Sequence, residues 1–224
     1  MSNDGFIDRL ISLTYPRGSW NKCFVMLQAF IDESGIHDQA PFCVVAGYMG
    51  GARHWKRFEE LWGPNSKIQD FHAKRFFARD PRGNRVPPFK EWDNARAEAY
   101  YNELLHAITS VNIYPIGGIV DVAEFWKYTE AERAHLTGSD WRNGRRTLSG
   151  APTKPYYLAF QEALASSLHR LKRNDLQIHF TFDQQEDFAP LALEMFKYFK
   201  QPEYSYAANM GDAIYPSRKD AIGL

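Results

Sequence analysis

The sequence predicts a mixed α/β fold, and three observations carry that reading. Apolar runs of strand length recur at 25–32, 42–48, 113–120 and 176–182. Segments with apolar residues at helical spacing lie between most of them. Three of the apolar runs stop abruptly on an aspartate: Asp32, Asp121 and Asp183. At 224 residues the chain has room for one sizeable domain with a single core, and we read 1–224 that way.

In chain order, residues 1–20 form a short leader. Phe6, Ile7, Leu10 and Ile11 suggest an amphipathic helix, broken by Tyr15-Pro16-Arg17-Gly18-Ser19. The near-continuous apolar run from Val25 to Ile31 suits a strand buried on both faces, delivered to Asp32-Glu33-Ser34-Gly35, where Ser-Gly supplies the turn. A second strand follows at Pro41 to Gly51, close enough to pair antiparallel. His54 to Trp62 has helical spacing, and Gly63-Pro64 is its expected stop. Ile68 to His72 has the makings of a brief strand, and Phe77 to Phe89, rich in Pro, Gly, Arg and Asp, reads as a surface loop without a core of its own. Helices are expected over Trp92 to Thr109 and Val122 to His135, with the strand Ile113 to Val120 between them. Leu136 to Pro152 is a Gly/Ser/Arg-rich insertion, so the insertion loop is placed near 136–153. Pro155 opens a long helix to about Leu171, as its fixed φ and missing N–H suit the first turn. Leu176 to Phe182 alternates into Asp183, a helix is expected from Phe188 to Phe199, and a short strand around Tyr204 to Ala207.

Lys+Arg and Asp+Glu are equal at 27 each, so there is no global electrostatic footprint for nucleic acid or an anionic membrane. A nucleic-acid partner therefore requires a local basic patch. No run approaches the roughly 18 apolar residues of a membrane span, and no secretory signal is evident. Cys23 and Cys43 fall in neighbouring strand segments, not in a metal-ligand pattern, and are read as reduced thiols of a cytoplasmic protein.

The strand-end carboxylates carry the chemistry. In an open α/β sheet the ligand crevice lies beyond the carboxyl ends of the strands, where Asp32, Asp121 and Asp183 would sit if their strands are parallel neighbours. Converging carboxylates are held ionised by hard cations, which points to Mg²⁺ or Mn²⁺. Two such ions about 4 Å apart serve phosphodiester hydrolysis. Strand alternation sends the adjacent Asp32 and Glu33 to opposite faces, so at most one of them ligates directly. His72, in Asp70-Phe71-His72-Ala73-Lys74, is the candidate general acid/base, with Lys74 near enough in sequence to meet a phosphate. For each aspartate the competing role is a turn or helix cap. Ser139 to Arg146, with Trp141 and three arginines, is either a phosphate grip or a solvated loop, and Arg75, Arg79, Arg82 and Arg85 make a second basic stretch. No phosphate-binding glycine motif or nucleophile elbow is present.

Phe30-Ile31-Asp32-Glu33-Ser34-Gly35, followed by Phe42 to Gly47, Phe71-His72-Ala73-Lys74 and Phe182-Asp183, resembles the domain-of-unknown-function family thirty-eight hundred, found in bacteria and their phages. That family has an N-terminal Asp-Glu-Ser motif and a C-terminal Gln-x-x-Asp motif. The resemblance implies a ribonuclease-H-like mixed sheet with helices on both faces and a metal-dependent nuclease or phosphoesterase site. In that site Asp32 and Asp183 are the principal metal ligands, Glu33 or Asp121 supplies a further oxygen, and His72 assists. The Gln-x-x-Asp motif is absent after Ser217-Arg218-Lys219-Asp220, so the expectation is a truncated chain or a variant without the last helix. The rival reading is a catalytically inactive module of the same fold that binds a protein or nucleic-acid partner; a small-molecule phosphohydrolase is a third.

Overall fold

The computed structural model describes residues 26–35, 40–66, 71–137, 140–142, 145–147, 153–171, 176–182 and 189–214. In chain order these form β1 (Met26–Ser34), β2 (Phe42–Gly51), α1 (Ala52–Ser66), α2 (Ala73–Phe77), α3 (Asn94–Thr109), β3 (Tyr114–Asp121), α4 (Val122–Phe125), α5 (Glu130–Leu136), β4 (Asp140–Arg142), β5 (Arg145–Thr147), α6 (Pro155–His169), β6 (Gln177–Phe182), α7 (Ala189–Phe199), a 3-10 turn (Ala207–Asn209) and β7 (Met210–Ile214). They group into two compact units. One is Arg53–Ile113; the other comprises the described parts of Arg9–Ala52 and Tyr114–Leu224.

The second unit is built on a five-stranded sheet in the order β3-β2-β1-β6-β7. β2 runs antiparallel to both β1 and β3, while β6 is parallel to β1 and β7 parallel to β6. Four strands therefore share one direction, and β1, β3 and β6 all present their carboxyl ends at the same edge. The α/β expectation holds, with a mixed sheet.

Paired residues share a face, so register assigns each side chain a side. Ala29, Ile31 and Glu33 of β1 lie with Cys43 and Val45 of β2, Ile116, Gly118 and Val120 of β3, and Phe180 and Phe182 of β6. This face is the core, with Ala29, Cys43, Val45 and Phe180 at 1% exposure or less. α6 covers it: Phe160 packs on Phe182 with ring centroids 5.1 Å apart, and a Cβ on Gly118 would lie 2.3 Å from the Ala159 carbonyl oxygen. α7 adds Phe196 edge-on to Phe180 at 5.5 Å. Each fully buried phenylalanine contributes about 1.5–3 kcal/mol. The outward N–H of Gly117 donates to Ser166 Oγ at 3.1 Å, and Pro115 has no N–H to offer, so the free edge of β3 is blunted against strand addition.

β7 pairs with β6 through an irregularity between Ile178 and Phe180, and His179 fills it. Its ring lies where a Cβ on Gly211 would be, 2.6 Å away, and its Nδ1 accepts the Asp212 backbone N–H at 3.0 Å. Lys200, just past α7, donates to Gly211 O at 2.8 Å and to Asp212 Oδ1 at 3.3 Å, tying the helix end to the same bulge.

The first unit has its own core of Phe76, Phe89, Ala97, Tyr100 and Leu104. The Phe77–Phe89 stretch is therefore not without a core: Phe89 is fully buried, edge-on to Phe76 at 5.1 Å and to Trp92 at 5.2 Å. Aromatic anchoring overrides the polar composition of the loop. Several boundaries also move. α1 runs through Gly63-Pro64 to Ser66, with Asn65 Nδ2 donating to Leu61 O, because a proline in the last turn removes only one ladder bond. The segment expected as one helix over Val122 to His135 breaks in two at Thr129, which forms a capping box with Glu132. Phe71 and His72 are not in a strand, and residues 67–70 before them lie outside the described residues. Tyr204 to Tyr206 pack as an aromatic cluster with Tyr198 and Phe199, and the edge strand forms later, at Met210. The 136–153 insertion contains the short hairpin β4–β5. The leader lies outside the described residues.

Two outcomes follow. Gly118→Ala should lose about 1–3 kcal/mol, read as a lowered thermal midpoint, because the new methyl meets helix backbone that cannot rotate away. Burial holds the His179 imidazole below its ordinary value of 6.5, with the Asp212 carboxylate opposing and Lys200 reinforcing the shift. The unfolded chain then binds a proton that the folded chain resists, so stability falls as pH drops below about 6.5, by up to about 1.4 kcal/mol per unit. Denaturant melts of His179→Gln between pH 7 and 5 should show that slope flattened.

Candidate functional site

The carboxyl edge of the sheet holds Asp32, Glu33 and Asp121. β1 ends with Asp32, Glu33 and Ser34 before Gly35, which takes φ +70°. A side chain there would be strained, and its Cβ would fall 1.9 Å from Phe42 O, so the turn after Asp-Glu-Ser requires glycine.

Alternation separates the adjacent acids as expected. Asp32 is exposed on the face opposite α6, with Ser34 beside it, and its Oδ1 accepts the Glu33 backbone N–H at 2.8 Å. Glu33 turns to the core face, opposite Val45 and next to Cys43. The Cys43 thiol is pushed up to about 11, first by burial and then by the Glu33 carboxylate, so it remains protonated and unreactive near neutral pH.

β6 brings its carboxyl end alongside β1. Ile31 pairs with Phe182, so Asp32 is the next residue on one strand, and in the sequence Asp183 follows Phe182. Asp183 lies outside the described residues.

Asp121 is on the same edge but not at the same place. Asp32 pairs with Ala46 and Asp121 with Phe42, four residues further along β2, and β2 stands between them. At ~3.4 Å per residue and ~4.8 Å per strand, their Cα atoms are about 17 Å apart. Two carboxylates cannot share one ion over that span, given metal–oxygen bonds of about 2.0–2.6 Å. Asp121 instead caps α4, its Oδ1 accepting the Glu124 backbone N–H at 3.0 Å. Among the described residues no group of three or more His, Cys, Asp and Glu side chains is placed to hold an ion.

His72 belongs to the first unit. It is exposed and sits at the N-terminal boundary of α2, its carbonyl accepting the N–H groups of Arg75 and Phe76 at 3.0 and 2.9 Å. The basic stretch after it is partly committed to structure. Arg79 Nη1 donates to the carbonyls of Phe76, Phe77 and Ala78, closing the end of α2. Arg85 bonds Phe76 O and Asn94 Oδ1 and lies 5.3 Å over the Phe76 ring. Arg75 and Arg82 are exposed.

Three side chains far apart in the pattern of the chain also come together in the second unit. Trp126, five residues past Asp121, carries the Arg133 guanidinium 4.7 Å over its ring, with Lys154 Nζ 5.7 Å from the same centroid. The contributors come from after α4, from α5 and from the start of α6, so no spacing in the chain announces them. No helix among the described residues is long and apolar enough to cross a membrane. No protein-family model, characterised protein or solved structure matches the chain.

Asp121→Ala should cost about 1 kcal/mol in urea denaturation through loss of the α4 cap, whereas Asp121→Asn, which keeps an acceptor, should stay close to wild type.

Proposed function

We propose that the protein is a metal-dependent nuclease or phosphoesterase of ribonuclease-H-like architecture, with Asp32 and Asp183 as the acids that hold a divalent cation. The observation that carries the reading is the parallel pairing of β1 with β6, in register up to Ile31 and Phe182, immediately before the two aspartates in sequence. The five-stranded mixed sheet, in which an antiparallel three-strand meander is extended by two parallel strands, supports the same architecture. Asp32 fits an oxygen ligand by its exposure and by its position at the carboxyl edge. Bound there, Mg²⁺ or Mn²⁺ would supply Lewis-acid activation of water and neutralise charge on a phosphoryl oxygen. The protein's own contribution is placement. The Glu33 N–H fixes the Asp32 carboxylate at Oδ1, and alternation keeps Glu33 itself out of the same coordination sphere. Asp121 is left to its cap.

A second reading, a non-catalytic module binding a partner, draws on Phe42 and Ile119, which are 49% and 64% exposed on the same face of the sheet as Asp32. Metal separates the two readings. For the nuclease, Mn²⁺ should raise the thermal midpoint of wild type and not of Asp32→Asn, since a ligand that binds only the folded state stabilises it by mass action. Mn²⁺-dependent cleavage of single- and double-stranded DNA and RNA should fall about 100-fold or more in Asp32→Asn. Equal cleavage by both proteins removes Asp32 from the mechanism. An unmoved midpoint with a partner still bound favours the module.

A further inference from the structure

We propose that Phe77, an exposed ring of the first unit, is a stacking platform for an unpaired base, with Lys74 and Arg79 beside it meeting the phosphates of a single-stranded nucleic acid. The choice of ligand draws on the nuclease reading above; the platform itself stands on separate geometry. The two phenylalanines that end α2 have opposite fates: Phe76 is 3% exposed in the core of the unit, and Phe77 is 55% exposed. Phe77 meets Phe76 at 5.1 Å and Tyr101 at 5.4 Å, at interplanar angles of 87° and 81°, while Phe76 and Tyr101 stack on each other at 5.7 Å. Two stacked rings therefore hold Phe77 in place, and neither of them stacks on it. Leu105, one turn past Tyr101 on α3, is 39% exposed and continues the apolar surface along that helix.

Charge decides what such a ring takes. Lys74 is one turn before Phe77 on the same face of α2 and is exposed. Arg79 is also exposed, and its Nη1 donates to Phe77 O at 3.1 Å, which fixes a second positive charge beside the ring. Neither cation is in an ion pair. Asp80, next to Arg79, has its carboxylate turned to the N–H groups of Arg82 and Asn84. Glu98, one turn before Tyr101 on α3, borders the surface from the other side, so the positive potential is concentrated at α2. Residues 53–113 carry eleven Lys and Arg against eight Asp and Glu, an excess of three in a chain whose formal net charge is zero. The centre of a protein-docking surface is depleted of lysine, whereas an open ring flanked by unpaired cations is the pattern that binds unpaired bases and their phosphates. A duplex keeps its bases stacked on one another, so the ring selects a single strand.

The test is binding of a 5′-labelled oligothymidylate to the full chain, followed by fluorescence anisotropy in EDTA over a range of KCl concentrations. Phe77→Leu, which keeps apolar bulk and removes the π-face, should weaken binding about 5-fold or more, and Phe77→Trp should restore it. Lys74→Gln should reduce the slope of log K against log salt by about 0.7, the value for one phosphate contact on a single strand, and Lys74→Arg should recover it. A duplex of the same length should compete less well than the single strand. Thermal melts check that each variant is folded. Failure of wild type to bind, equal competition by the duplex, or an affinity unchanged in both Phe77→Leu and Lys74→Gln overturns the platform; the last of these, with a protein partner lost in Phe77→Leu, makes the ring a protein contact. Phe77-dependent binding alongside undiminished cleavage by Asp32→Asn would remove the nuclease reading and leave the platform standing. Asp32-dependent cleavage with binding indifferent to Phe77 and Lys74 would do the reverse.

Discussion

Parallel pairing of β1 with β6 is the contact on which the second unit depends. It joins a local meander, β1-β2-β3, to strands that begin more than a hundred residues after β1 ends, and it brings the ends of β1 and β6 to one edge. Nothing short-range favours that pairing. It is held by burial on one face, where Ala29 and Ile31 lie level with Phe180 and Phe182 beneath Phe160 of α6. Removing that apolar contact would separate the strands.

The same face explains how two neighbouring acids acquire different lives. A strand has a side-chain period of two, so Asp32 and Glu33 cannot point the same way. With α6 on one side, the inward acid becomes a half-buried charge beside a thiol, and the outward one stays in water at the strand mouth. Their difference in environment comes from the position of a helix that begins more than a hundred residues downstream.

Structure and chemistry compete for the polar residues throughout. Asp121 has the same sequence signature as Asp32, an acid closing an apolar strand, yet its carboxylate caps a helix. Arg79 and Arg85 look like an anion grip in sequence and instead close the end of α2. His179, unremarked in sequence, is among the most enclosed polar side chains and stitches the bulge of β7. In each case a nearby backbone N–H or C=O takes the side chain, a bond worth a net of about 0.5–1.5 kcal/mol.

The strands at β1, β2, β3 and β6, the long helix opened by Pro155, the turn at Gly35 and the opposite facing of Asp32 and Glu33 were all legible in the sequence, because period, proline and glycine act over a few residues. The split at Thr129, the buried anchor Phe89 and the true place of the edge strand were not, since each depends on what a segment packs against. Whether two acids meet is likewise decided by register. Only the pairing through β2 reveals that Asp121 stands four residues further along than Asp32, and only the approach of α5 and α6 to Trp126 gathers Arg133 and Lys154. Local patterns set the elements and the direction of each side chain; distances between residues far apart in the chain belong to the packing of the core.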